Sequence, residues 1–125
     1  MSRFFLLAFA SALAFTQLSC SQGTTSVTPT ETAALLHKPD VVVLDVRTPK
    51  EYADGHLTGA RNIDFKASDF DDRIAQLDKS KSYVLYCASG NRSGKTATLM
   101  AEKGFSKVDN AGGFKDLKAA GLPTE

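Results

Sequence analysis

The sequence predicts an α/β domain of three layers, a mostly parallel central sheet flanked by helices. Three observations predict it. Strand and helix signals alternate along the chain. Val41 to Val46 is a nearly unbroken apolar, β-branched run, of the kind a parallel sheet covers on both faces. Thr28-Pro29-Thr30-Glu31 and Thr48-Pro49-Lys50-Glu51 each place a capping hydroxyl, a proline at the first helical position and a glutamate at the third. A length of 125 residues, 42% hydrophobic and 23% charged, suits one domain.

The first capping signature opens a helix through Leu35 and Leu36, which Pro39 closes. The strand Val41 to Val46 follows, then a helical turn from Thr48 that Gly55 ends. Asn62 to Phe65 reads as a short strand, and Phe70, Ile74 and Leu77 mark one helical face at i, i+4 and i+7. Tyr83 to Tyr86 is a strand running straight into Cys87. Ser93 to Lys103 carries Ala97, Met100 and Ala101 on one stripe and stops at Gly104, a favoured left-handed terminator. Lys107 to Asp109 reads as a third main strand, followed by Gly112-Gly113 and a helix from Phe114 to Ala120, with Gly121 and Pro123 as stop signals. In such a fold functional loops gather at the carboxyl ends of the strands.

Composition excludes several functions. Lysine and arginine total 15 against 14 acidic residues, so no excess positive charge is available to neutralise phosphates, and nucleic acid is not an expected partner. Two cysteines cannot staple a small secreted fold, and with two histidines they make a poor set of zinc ligands, so neither a metal nor a cofactor is expected. The domain is expected to act as a monomer.

The N-terminus reads as an export signal. Phe4 to Phe15 is a run of twelve residues broken only by Ser11. At about 1.5 Å per residue it spans roughly 18 Å, too short for a hydrocarbon core of about 30 Å. Residues 1–19 are therefore expected as a signal peptide, residues 20–27 as a tether rich in serine, threonine, glutamine and glycine, and residues 28–125 as the domain. Leu18-Ser19-Cys20-Ser21 resembles a bacterial lipobox, although Gln17 stands where that pattern has leucine. The resemblance implies lipidation at Cys20 and a lipoprotein on the periplasmic side or at the outer membrane; cleavage without lipidation would leave a soluble periplasmic protein. Loss of residues 1–19 removes one charge, Arg3, so basic and acidic side chains become equal in number.

Cys87-Ala88-Ser89-Gly90-Asn91-Arg92-Ser93 lies between an apolar strand and a helix. Backbone N–H groups from Ala88 to Ser93 can converge there on an anion, helped by the helix dipole and by the charges of Arg92 and Lys95. Such a setting lowers a thiol pKa. At the reference value of about 8.5 only about 3% of a cysteine is thiolate at pH 7, whereas a drop to about 6.5, roughly 2.7 kcal/mol, makes it about three-quarters thiolate. A polar, glycine-containing loop with an arginine is a poor place to bury a thiol, so Cys87 is expected as a working nucleophile. No histidine is placed to serve it: His37 is expected in solvent near the end of the first helix, and a papain-like hydrolase is disfavoured.

Three motifs resemble the rhodanese sulfurtransferases. They are Asp45-Val46-Arg47-Thr48-Pro49-Lys50-Glu51-Tyr52 with Gly55-His56-Leu57-Thr58-Gly59-Ala60-Arg61-Asn62-Ile63, the Cys87 loop, and Gly112-Gly113 with Ala120-Gly121-Leu122-Pro123. Leu117 stands where members carry tryptophan and Asn110 where leucine is usual; both read as packing positions. The resemblance implies a single rhodanese-like domain in which Cys87 takes a sulfane sulfur as a persulfide, Ala88, Ser89, Gly90, Asn91, Arg92 and Ser93 bind the donor, and Arg92 meets its anionic group. Asp45, Arg47 and His56 are expected as supporting residues. Thiosulfate or a similar small molecule would be the donor, and cyanide, a small thiol or a partner protein's cysteine the acceptor. A non-enzymatic persulfide carrier or partner-binding module is the alternative. In the related cysteine phosphatases five residues separate cysteine from arginine; here four do.

Overall fold

The computed structural model describes residues 24–125; Cys20 and the expected signal peptide lie outside them. Five parallel strands form one sheet in the order β1-β5-β4-β2-β3. They are β1 (Thr25–Ser26), β2 (Val41–Asp45), β3 (Arg61–Asn62), β4 (Ser82–Cys87) and β5 (Val108–Gly113), connected through α1 (Pro29–Leu35), α2 (Pro49–Ala53), α3 (Phe70–Ala75) and α4 (Asn91–Glu102) and followed by α5 (Phe114–Ala119).

Both capping boxes form. Thr28 and Thr48 accept from the backbones of Glu31 and Glu51, whose carboxylates accept from the threonine backbones in return. The period of two along β4 divides the core. Tyr83, Leu85 and Cys87 face α3 and α4 in a cluster with Leu44, Ile74, Ala97 and Met100. Val84 and Tyr86 face the opposite layer, with Leu57, Leu117 and the partly buried Leu35, Leu36, Tyr52 and Phe114. Each fully buried large aliphatic side chain contributes about 1.5–3 kcal/mol relative to exposure. The sheet is therefore a true middle layer, and β4, at its centre, delivers Cys87 at its carboxyl end.

Several boundaries differ from the sequence reading. Thr25 to Val27, expected as the end of the tether, pair with β5: Thr25 lies opposite Asp109, Ser26 opposite Asn110, and the Val27 N–H donates to the Asn110 carbonyl at 3.0 Å. The pairing partner, not local propensity, makes this strand. β3 is Arg61–Asn62, earlier than Asn62 to Phe65, although Ile63 and Phe65 still donate to the carbonyls of Asp45 and Val46. α4 begins at Asn91, because Gly90 serves as its cap with φ +92°, and Thr96 rather than Ala101 is buried on its stripe. β5 runs on through Gly112-Gly113.

Candidate active site

The site grows from a glycine-capped helix start. α1 and α2 satisfy their first N–H groups with their own side chains, but Gly90 offers no side chain to α4 and no acidic residue sits in its first turn. The orphan donors are left for the sulfur of Cys87. The Gly90 N–H donates to Sγ at 3.0 Å and the Ser93 hydroxyl lies 3.4 Å from it.

Cys87 is a free thiol and 0% exposed. A polar loop did not leave it open to solvent: the chain from Ala88 to Gly90 curls back over the sulfur. Burial pushes the thiol pKa up, but hydrogen bonds from the Ser93 side chain and from the backbones of Ser93, Ser89 and Gly90 outweigh it, and the net shift is downward. The direction is the one the sequence implied.

A bulge in β5 supports the loop. Leu85 pairs with Asn110 and Cys87 with Gly113, so two steps along β4 match three along β5. Gly112 takes φ +87° at the extra position. A Cβ on Gly113 would sit 2.6 Å from the Ala88 carbonyl oxygen, so only glycine lets the loop lie this close. Asn110, expected to pack, instead ties the loop down with polar bonds. Its Nδ2 donates to the Gly90 carbonyl at 3.1 Å, and its Oδ1 accepts from Ser93 Oγ at 2.7 Å and from the Gly112 N–H at 3.0 Å. Leu117 is a buried packing residue, as expected.

Arg92 is held from the side. Its Nη1 and Nη2 donate to Glu51 Oε1 and Oε2 at 2.8 and 3.0 Å, a bidentate pair joining α4 to α2. Hydrogen bonding from Arg92, then from Thr48, brings the Glu51 pKa down to about 2 despite partial burial. The pair thus stays ionised at any working pH, and its contribution to stability is lost only as pH falls from the ordinary carboxylate range through about 2. Glu51 had been legible only as a capping residue. Arg92 is close enough to Cys87 for a thiolate to favour its charged form, after the larger effect of Glu51. Ala88, Ser89 and Asn91 are exposed at the rim, and Lys95 is exposed further along α4.

The expected supporting residues are placed apart from the sulfur. Asp45 and Arg47 are 0% and 5% exposed and joined by contacts of 2.6–3.0 Å. Arg47 Nη2 also donates to the Gly55 carbonyl at 2.6 Å, and the guanidinium lies 4.3 Å from the Phe114 ring centroid. His56 stacks on Tyr52 and bonds to the Tyr52 carbonyl through Nδ1 and to Glu125 through Nε2, which fixes a turn rather than a proton path to Cys87.

Known proteins resemble this chain in sequence and fold. Residues 28–120 match the model of the rhodanese-like domain. Thiosulfate sulfurtransferase PspE of Escherichia coli is 40% identical over 76 residues, covering 59% of this chain and 71% of the relative. Thiosulfate sulfurtransferase GlpE of Pseudomonas putida is 34% identical over 100 residues, 79% of this chain and 88% of the relative. Among solved structures, the rhodanese-like domain of an Anabaena protein superposes with a TM-score of 0.72 at 30% identity, covering 82% of this chain and 80% of that one. A rhodanese with anions from E. coli gives a TM-score of 0.57 at 34% identity over 68% of this chain and 96% of that one. By fold, by the loop at the end of β4 and by these likenesses, the chain belongs to the rhodanese-like domain family.

Proposed function

We propose that the protein is an extracytoplasmic sulfurtransferase that moves a sulfane sulfur from thiosulfate, or a similar donor, to a thiophilic acceptor through a persulfide on Cys87. The observation that carries this reading is the convergence of the Gly90 N–H and the Ser93 hydroxyl on Cys87 Sγ, in a chain whose relatives are named thiosulfate sulfurtransferases. The Cys87 thiolate attacks the outer sulfur of thiosulfate, the sulfur–sulfur bond of the donor breaks, and sulfite departs with the electron pair. A nucleophile such as cyanide then takes the terminal sulfur and returns the thiolate. Donors that hold a thiolate equally suit the anionic end of a persulfide, so the loop from Ala88 to Ser93 serves both halves of the cycle.

Arg92 binds the donor's oxyanion through the N–H groups not spent on Glu51. Arg92→Lys keeps the charge but loses the planar fork that serves both contacts. Its KM for thiosulfate should rise about tenfold, a change equal to about 1.4 kcal/mol, with a smaller fall in kcat. An unchanged KM in thiosulfate–cyanide turnover would make Arg92 a bystander. A carrier would load sulfur yet turn over no small acceptor, so the same assay separates it from an enzyme.

The proposed division of the chain is a signal peptide over 1–19, a tether from lipidated Cys20, and the domain. Among the described residues no helix is long and apolar enough to cross a membrane; the anchor in this reading is the lipid on Cys20. Thr25 pairs with Asp109 while Cys87 pairs with Gly113, so a tether leading into Thr25 would meet the sheet at the end away from the sulfur. Wild type should fractionate with membranes and Cys20→Ala should not, since each buried acyl CH₂ contributes about 0.8 kcal/mol. Wild type found wholly in the soluble periplasmic fraction would refute lipidation.

A further inference from the structure

We propose that Asn110 and Ser93 form a hydrogen-bond switch that sets the acidity of Cys87, with Asn110 Oδ1 as a fixed acceptor competing with the sulfur for the single Ser93 hydroxyl proton. The proposal rests on the reading of Cys87 as the sulfur-carrying residue for its consequence, but its test needs no sulfur donor.

The orientation of Asn110 is determined by its other partners. Its Nδ2 faces the Gly90 carbonyl at 3.1 Å and its Oδ1 faces the Gly112 N–H at 3.0 Å. A flipped amide would set acceptor against acceptor at the Gly90 carbonyl and donor against donor at the Gly112 N–H. Oδ1 is thereby fixed 2.7 Å from Ser93 Oγ, and the contact forms only if Ser93 donates. Ser93 Oγ also lies 3.4 Å from Cys87 Sγ. One proton has two acceptors.

The two protonation states of Cys87 use that proton differently. With a neutral thiol, the S–H donates to Ser93 Oγ and Ser93 donates to Asn110. With a thiolate, or with the anionic sulfur of a persulfide, the Ser93 hydroxyl turns to the sulfur and leaves Asn110. Stabilising the anion therefore costs the Asn110 bond, and Asn110 holds the thiol less acidic than the loop alone would make it. The same turn of the hydroxyl removes the bond between Asn110 and Ser93 and leaves the two by which Asn110 holds Gly90 and Gly112, so the loop keeps its shape while the proton moves.

The surrounding elements carry charged groups that include Arg92, Lys95 and Glu102 on α4, Lys50 and Glu51 on α2, the mutually paired Asp45 and Arg47 at the end of β2, Asp109 on β5, and Lys115, Asp116 and Lys118 on α5. None is altered by substitution at 110 or 93, so the sign of the change comes from the Ser93 proton. The Gly90 carbonyl also keeps its bond from the Gly94 N–H at 2.9 Å when Asn110 is replaced.

The experiment is the pH dependence of Cys87 alkylation by iodoacetamide in the full chain, with thermal melts as a fold check. Asn110→Leu replaces both amide ends by methyls, and Asn110→Ala serves if the leucine form is unstable. Either should lower the midpoint by about half to one pH unit, giving about three- to tenfold more thiolate well below the midpoint. Ser93→Ala should raise it, and Asn110→Leu combined with Ser93→Ala should match Ser93→Ala alone, because without the hydroxyl there is nothing to compete for. A merely structural role would move every variant upward together as the loop loosens. A rise in both folded Asn110 variants, or no change in either, would overturn the proposal. Sulfur loading from thiosulfate is measured separately, so the switch can fail while the sulfurtransferase reading stands.

Discussion

Replacing Cys87 by serine is expected to abolish sulfur transfer while leaving the fold in place. A hydroxyl at this position cannot hold a sulfane sulfur as a persulfide, so steady-state turnover of thiosulfate with cyanide should fall by a factor on the order of a thousand or more, the scale on which removal of a nucleophile acts. The fold should survive because the new hydroxyl is not stranded: the Gly90 N–H and Ser93 Oγ that now face Sγ would face the oxygen. Chemical denaturation should show a loss within about 1 kcal/mol. A serine variant retaining activity within tenfold of wild type would remove Cys87 from the mechanism.

The largest effect on stability is expected at Arg47. Asp45 is wholly buried, and the Arg47 side chain is what neutralises it there. Arg47→Met keeps the length and apolar stem of the side chain but leaves the Asp45 carboxylate with no cation, only the backbone N–H of residue 47 and the nearby Tyr86 hydroxyl. Stripping one member from a buried ion pair costs about 3–5 kcal/mol, a large part of the 5–15 kcal/mol that holds a domain together. The Gly55 carbonyl would lose its 2.6 Å donor and the Phe114 ring its cation in the same step. Urea unfolding measures the loss, and the double variant with Asp45→Asn should recover part of it. A loss below about 1 kcal/mol would show that water reaches Asp45.

The elements legible in the sequence were those whose causes are local. The capping boxes at Thr28 and Thr48 formed as their spacing required, and the apolar runs that became β2 and β4 needed no context to be recognised. β1 was not legible because Thr25 and Ser26 carry no strand pattern of their own and become a strand only by pairing with β5. The end of β5 was missed for the opposite reason. Asn110-Ala111-Gly112-Gly113 has the composition of a turn, yet the bulge that admits Gly112 keeps it in the sheet.

The site divides in the same way. Cys87, Gly90, Arg92 and Ser93 lie within one short loop and helix start, and their spacing carried the chemistry. Glu51 reaches Arg92 from 41 positions away and Asn110 reaches Ser93 from 17, distances over which a single sequence leaves no periodic trace. Each had one visible signal. Glu51 was a charged residue with a complete explanation as a cap, which concealed its second use, and Asn110 was a polar residue where the family pattern has leucine. Burial of Cys87 was also unforeseen, since the polar composition of a loop says nothing about which way it curls.

Intact-mass spectrometry of the protein after incubation with thiosulfate and removal of excess donor tests the persulfide most directly. Cys87 should gain a single sulfur atom, mapped to the peptide that contains it, and cyanide should remove that atom and release an equal amount of thiocyanate. A protein whose mass is unchanged by thiosulfate, or a Cys87→Ser variant that gains the sulfur as readily as wild type, would contradict the account.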